Sequence, residues 1–205
     1  MKLRIIFSLF LIIYLGYHVH CEFIRQCTCE QLEKCREQLL QYIKPCADNC
    51  QRYAKKAKAN YKMLRNCVLR HEDKIIQTIN CTETMFNDAC AIKPGRYVEK
   101  TYVESLEIMG IAEINRMLGN FSKPLHPLIS TARRFIRCTR KIKLHVILNL
   151  SCGLELPSDL ITVQKVKQCA IESGFDTPTM QQMCYCGISA GIRKLRDVCP
   201  NLQIS

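Results

Sequence analysis

Apolar residues recur at helical spacing along most of the chain. Over residues 29–44 and again over 102–118 they fall three and four positions apart, which places them on one face of an amphipathic helix. Pro45 is expected to end the first helix, and Gly119 with Asn120 to cap the second. The strict alternation of apolar and polar residues that is typical of strands is absent.

The same spacing predicts four more helices. They are expected over residues 48–69, from Pro127 toward 148, over 159–171 with a stop at Gly174, and over 179–198. One side of the 48–69 segment carries the apolar positions Cys50, Tyr53, Ala54, Ala57, Tyr61, Leu64 and Val68. The sequence therefore predicts an all-α protein of about six helices.

Residues 1–21 have the pattern of a signal peptide. Lys2 and Arg4 form a short basic region, and residues 5–17 are almost wholly apolar. That run is short for a membrane span but suits a signal-peptide core. Val19 and Cys21 precede the predicted cleavage point, so residues 22–205 are expected to form the mature domain. No second stretch approaches the ~18 apolar residues of a spanning helix, and no transmembrane anchor is predicted.

The cysteines predict a disulfide framework. The chain has 15 cysteines, and removal of Cys21 leaves 14, an even number that can pair as seven disulfides in a secreted protein. The residues predicted to pair are Cys27, Cys29, Cys35, Cys46, Cys50, Cys67, Cys81, Cys90, Cys138, Cys152, Cys169, Cys184, Cys186 and Cys199. The chain contains no CxxC pair that would suggest a zinc site, and neither a metal nor a cofactor is predicted.

The cysteines fall into two groups of even number. One group lies within residues 22–90 and the other within 138–199, and the segment 91–137 between them has none. Two disulfide-bonded lobes and a single domain with pairs across the groups are both consistent with this distribution.

The charge is strongly basic. The full chain has a net charge of +12, and loss of Lys2 and Arg4 with the signal leaves +10. Outside the cell such a protein meets sulfated polysaccharides, anionic membranes and acidic proteins, whereas nucleic acid is a poor partner for this compartment. The densest cluster, a possible anion-binding site or simply a solvated helix face, comprises Arg133, Arg134, Arg137, Arg140, Lys141 and Lys143.

Two kinds of short motif suggest modification. Asn80, Asn120 and Asn149 each begin an N-glycosylation sequon and are predicted acceptors. Ser173 and Gly174 are flanked by acids, which is the minimal context for glycosaminoglycan attachment, but the interpretation preferred here is that Gly174 caps a helix.

A serine-hydrolase motif is present only in form. The segment 187–191 matches G-x-S-x-G, but the last histidine, His145, precedes it and no strand leads into the serine. None of the three histidines after the signal has a credible catalytic partner, so the protein is predicted not to be an enzyme.

Several strings resemble cysteine-rich secreted proteins of nematodes, some of which are grouped with the chondroitin proteoglycan 4-type domain. The strings are Cys27-Thr28-Cys29, Pro45-Cys46-Ala47-Asp48-Asn49-Cys50, Arg70-His71-Glu72, Cys81-Thr82-Glu83, Ala112-Glu113-Ile114-Asn115, Lys167-Gln168-Cys169-Ala170-Ile171-Glu172-Ser173-Gly174-Phe175 and Cys184-Tyr185-Cys186. The resemblance spans nearly the whole mature chain. It implies a secreted helical disulfide protein without catalytic residues. A chondroitin-bearing member should have several Ser-Gly acceptors, and this chain has one.

These observations favour a binding role. The leading hypothesis is a secreted, non-enzymatic extracellular protein that binds an anionic matrix component, such as a sulfated glycosaminoglycan, or the surface of another extracellular protein. The alternative is a small-lipid carrier with an apolar cavity between crosslinked helices.

The signal-peptide pattern gives the first prediction. Protein secreted from eukaryotic cells should begin at Glu22, because cleavage after Cys21 removes the odd cysteine. N-terminal sequencing checks this, and an intact Met1 would contradict it.

Overall fold

Helices dominate the structure. The computed structural model describes residues 22–147 and 152–204. Within these residues the chain forms eight α-helices: α1 (Cys29–Asn49), α2 (Arg52–Lys56), α3 (Tyr61–Leu69), α4 (Glu72–Met85), α5 (Val103–Leu118), α6 (Ser122–Ile147), α7 (Asp159–Glu172) and α8 (Thr177–Ser189). Four short 3-10 helices span Asn87–Ala89, Gly119–Phe121, Arg193–Leu195 and Cys199–Asn201. The predicted disulfide-rich helical class is confirmed.

Local chemistry fixes several helix ends. The Thr28 hydroxyl accepts the backbone N–H of Gln31, whose side chain accepts that of Thr28, and this capping box starts α1. Asp176 likewise accepts the backbone N–H of Thr179 at 3.0 Å and starts α8. At the other ends Gly119, with φ of +50°, terminates α5, and Gly174, with φ of +88°, follows α7. The predicted stops at both glycines are confirmed.

Two helix boundaries differ from the prediction. Helix α1 continues through Pro45 to Asn49 instead of ending before the proline. Burial of Cys46 and Cys50 just beyond Pro45 anchors this last stretch and offsets the hydrogen bond that the proline removes. The predicted 48–69 helix is broken, because Lys58 adopts a φ of +58° after α2 and Asn60 caps a separate helix, α3.

Three further differences concern α6, α8 and α4. Helix α6 begins at Ser122 and contains Pro127, instead of beginning after that proline. The helix predicted over 179–198 stops at Ser189, because Gly191 has a φ of +110° and a Cβ there would stand 2.7 Å from the Lys58 carbonyl oxygen. The backbone N–H of Asn60 donates to the Ala190 carbonyl at 2.7 Å beside this contact. Helix α4 was not predicted.

A small sheet joins distant parts of the chain. Strands β1 (Phe23–Gln26), β2 (Tyr97–Glu99) and β3 (Cys152–Gly153) lie in the order β2-β1-β3. β1 pairs antiparallel with β2, so that Ile24 faces Val98, and parallel with β3, so that Arg25 faces Cys152. These strands are too short to show an alternating pattern in the sequence.

Six disulfides crosslink the described residues: Cys27–Cys152, Cys29–Cys90, Cys50–Cys138, Cys67–Cys186, Cys81–Cys169 and Cys184–Cys199. Four of them join the first cysteine group to the second, and only Cys29–Cys90 and Cys184–Cys199 stay within a group. The two cysteine groups are therefore covalently interlinked rather than bonded separately.

Cys46 departs from the predicted framework of seven disulfides. It is buried, with 4% of its surface exposed, and forms no disulfide. The other cysteine that was predicted to pair, Cys35, has its side chain outside the described residues. Both belong to α1, where eleven residues span ~16 Å. That separation exceeds the ~7 Å limit between the Cα atoms of a disulfide.

Ion pairs join the helices around these crosslinks. Helix α5 packs on α7, and there Glu113 of α5 forms an ion pair with Lys167 of α7 at 2.9 Å. Glu113 also pairs with Arg116 of its own helix at 2.8 Å. These two hydrogen bonds, first that of Arg116 and then that of Lys167, lower the pKa of Glu113 to about 2.

Among the described residues, no helix is long and apolar enough to cross a bilayer.

Glu113 predicts an acid-sensitive contribution to stability. Its pKa lies below the unfolded value of 4.5, so its stabilisation is complete above about pH 4.5 and disappears as the pH falls toward 2. Glu113→Gln should therefore lower the free energy of unfolding by ~1–3 kcal/mol at neutral pH and by little near pH 2. Urea denaturation at several pH values measures this, with the exposed Glu33→Gln as control. Equal, pH-independent effects of the two variants would contradict the assignment.

Candidate ligand-binding cavity

A large apolar cavity lies between the helices. Its volume is about 640 Å³, and residues from α1, α2, α3, α4, α6 and α8 line it. The lining is mostly aliphatic and aromatic, with Leu64, Ile75, Ile79, Leu128, Phe135 and Met183 among its members. A site of this kind can take up apolar surface from a small molecule.

Helical periodicity directs these side chains inward. Helix α3 contributes Tyr61, Leu64 and Val68, which are three and four positions apart. Helix α6 contributes Leu128, Ala132 and Phe135 with the same spacing. Apart from Cys50, the apolar positions that the sequence predicted on one side of the 48–69 segment line this cavity, although that segment is broken into two helices.

Small residues leave the space open. Ala54 lines the cavity and is itself buried. Gly187 on α8 also lines it, and a Cβ there would meet the Leu195 Cδ1 atom at 3.0 Å. Larger side chains at these two positions would occupy part of the volume.

Disulfides brace the walls. Cys67, another lining residue, joins α3 to Cys186 on α8, and Cys50 joins the end of α1 to Cys138 on α6. Each crosslink joins two lining helices that also pack directly against each other, so the lining helices do not depend on apolar packing across the cavity to stay together.

The mouth of the cavity is apolar. Ile43, Val68 and Ile136 all line it, yet 45%, 45% and 59% of their surfaces remain exposed. Large aliphatic side chains that face both the cavity and solvent mark an open entrance.

Paired charges accompany this apolar lining. Lys44 and Glu72 form an ion pair at 2.5 Å. Arg65 donates through Nε to Asp48 at 2.9 Å, and the Tyr61 hydroxyl donates to the same carboxylate at 2.7 Å. The hydrogen bond from Tyr61 lowers the pKa of Asp48, whereas burial, aided by Asp48, raises the pKa of Tyr61 to about 12.

The predicted anion-binding cluster lies on α6. Its residues Arg133 and Arg137 both donate to the carboxylate of Glu107 on α5, the latter at 2.9 Å, whereas Arg134 is exposed. The side chains of Arg140, Lys141 and Lys143 lie outside the described residues. Two of the three described arginines are therefore engaged by an acid of the protein itself.

The predicted modification sites differ in their exposure to solvent. Asn80, on α4, and Asn120, in the turn between α5 and α6, are exposed, while Asn149 lies outside the described residues. Glycosylation stays a prediction. Ser173 is buried next to the helix-ending Gly174, which agrees with the preferred helix-cap interpretation.

The G-x-S-x-G segment lies at the end of a helix. Gly187 is buried in α8, and the Ser189 hydroxyl donates to the Tyr185 carbonyl one turn earlier at 3.2 Å. A strand followed by a sharp turn, which the hydrolase motif needs, does not precede the serine in this described region.

Comparisons of the chain with protein families, with curated proteins and with solved structures find no match. The resemblance to nematode cysteine-rich secreted proteins therefore stays a prediction.

The sequence predicted only part of the cavity lining. It indicated the apolar side of α2 and α3, but not the contribution of α4, whose residues Ile75, Ile76 and Ile79 also line the space. Their spacing one and four positions apart was a usable signal. The sequence could not indicate that this space is unfilled, because the helix face that lines a cavity and the face that packs in a core have the same periodicity.

The Glu107 contacts generate a prediction about polyanion binding. Glu107→Gln should lengthen retention on immobilised heparin more than Glu99→Gln does, because only the first releases Arg133 and Arg137 while both remove one negative charge. Salt-gradient elution measures this. Equal shifts would show that retention follows net charge and not this cluster.

Proposed function

We propose that the mature protein is a secreted carrier that binds a small apolar molecule in the cavity between its crosslinked helices. The observation that supports this proposal is the open, apolar space of about 640 Å³. Small-molecule sites in proteins typically measure about 300–1,000 Å³ and are mostly apolar, with few polar groups.

The lining suits a ligand with a long hydrocarbon part. Burial of each methylene group contributes about 0.8 kcal/mol, so an acyl or isoprenoid chain could supply most of the binding free energy without a directional contact. The exposed Ile43, Val68 and Ile136 at the mouth give such a chain an apolar path inward.

The covalent framework supports a role outside the cell. Six disulfides among the described residues fit an oxidising compartment, and they suit a protein that must keep a cavity while exposed to a harsh exterior. Secretion itself rests on the signal-peptide pattern of residues 1–21. The proposed activity is reversible binding rather than catalysis.

Binding of an anionic matrix component is the less supported alternative. Glu107 already engages Arg133 and Arg137, and this reduces what the described part of the α6 cluster offers to a sulfate group.

A cavity-filling variant tests the proposal. Ala132→Trp places a bulky side chain among the lining residues and should weaken binding of phenylnaphthylamine, an uncharged fluorophore that brightens in apolar surroundings, by at least about tenfold. Fluorescence titration of the disulfide-bonded mature protein measures the affinity.

Ala112→Trp is the matched control. Ala112 is likewise an exposed helical alanine, but it lies on α5 outside the cavity lining. This variant should bind the fluorophore like the wild type. Equal affinities of the two variants, with unchanged thermal stability, would rule out the cavity as the binding site.

A further inference from the structure

We propose that the ligand of this cavity carries an uncharged polar end, such as a hydroxyl or an ester, and is not a fatty acid anion. This inference rests on the proposed function and names the chemical class of its ligand. The charges of the cavity lining are already paired within the protein, and this pairing carries the inference.

The first candidate cation, Arg65, is occupied. Its Nε donates to Asp48 at 2.9 Å, and Asp48 also accepts the Tyr61 hydroxyl at 2.7 Å. The Asp48 carboxylate neutralises the guanidinium charge, so a ligand carboxylate that approached Arg65 would meet an ion pair and not a free cation. An added anion near Asp48 would also meet repulsion from this carboxylate.

The second candidate cation, Lys44, is occupied in the same way. Its ammonium group lies 2.5 Å from the carboxylate of Glu72, and both residues line the cavity. The two ion pairs are matched in charge, so together they offer an anion no net attraction.

Against the apolar lining away from these ion pairs, a charged end would lose its hydration. The lining there is aliphatic and aromatic, with Leu64, Ile79 and Phe135, and the Thr131 hydroxyl already donates to the Pro127 carbonyl at 2.8 Å. Transfer of an ion from water into such surroundings without a partner is strongly unfavourable, whereas a hydroxyl or an ester loses much less. An uncharged end is therefore compatible with both the rim and the interior.

The experiment compares two ligands with one hydrocarbon chain. Oleyl alcohol and oleate compete with phenylnaphthylamine for the mature protein at about pH 9, where the carboxylate is ionised. Oleyl alcohol should displace the fluorophore at a concentration at least about tenfold lower than oleate does.

A variant then tests the stated cause. Asp48→Asn frees Arg65 and should strengthen oleate binding by about tenfold while it leaves oleyl alcohol unchanged. Asp73→Asn is the matched control, because it removes the same charge from an exposed position on α4 without a change at Arg65, and should leave both ligands unaffected.

The outcomes separate the two proposals. Oleate binding to the wild type as tightly as oleyl alcohol, or more tightly, would overturn the uncharged-end inference and leave the cavity function standing. Displacement by neither compound, together with equal fluorophore affinities of Ala132→Trp and Ala112→Trp, would overturn both.

Discussion

Four disulfides between the two cysteine groups supply much of the stability that apolar packing supplies in most helical proteins. Apart from cysteines, the buried apolar residues of the described chain are mainly small: Ala54, Ala59, Ala89, Ala190, Val98, Val198 and Leu125. Such side chains bury little surface, so helix packing alone would leave this chain weakly stable. Crosslinks stabilise it by restricting the unfolded chain, and they do so without filling the interior.

Because crosslinks stabilise the fold without filling its interior, this helical protein can keep a large apolar space. The larger aliphatic residues, such as Leu64 and Ile79, line the cavity instead of meeting across it. Cys67–Cys186 and Cys50–Cys138 hold neighbouring lining helices together. The lining also remains apolar because Lys44 and Arg65 are paired with acids of the protein itself. Space, apolar lining and paired charges together define what the cavity can accept.

The sequence predicted the local features well. The α5 helix and its end at Gly119 follow from periodicity and from the positive φ that glycine tolerates. It did not predict the break at Lys58 or the three-stranded sheet, because both depend on contacts between distant residues: the carbonyl of Lys58 meets Gly191, and β1 pairs with β3. An apolar cavity between crosslinked helices was the alternative hypothesis, but its location and the disulfide pairing could not be predicted, since cysteine spacing and helical faces carry no information on which partners meet.

The order of the disulfides along the chain has a consequence for biosynthesis. Cys27 pairs with a residue 125 positions later, and Cys67 with one 119 positions later, so neither bond can form until its distant partner has been synthesised. Cys29–Cys90 is the exception among the bonds of the first group, with a separation of 61. The disulfide between α3 and α8 therefore closes only near the end of synthesis, and until then it does not hold together the apolar helices that line the cavity.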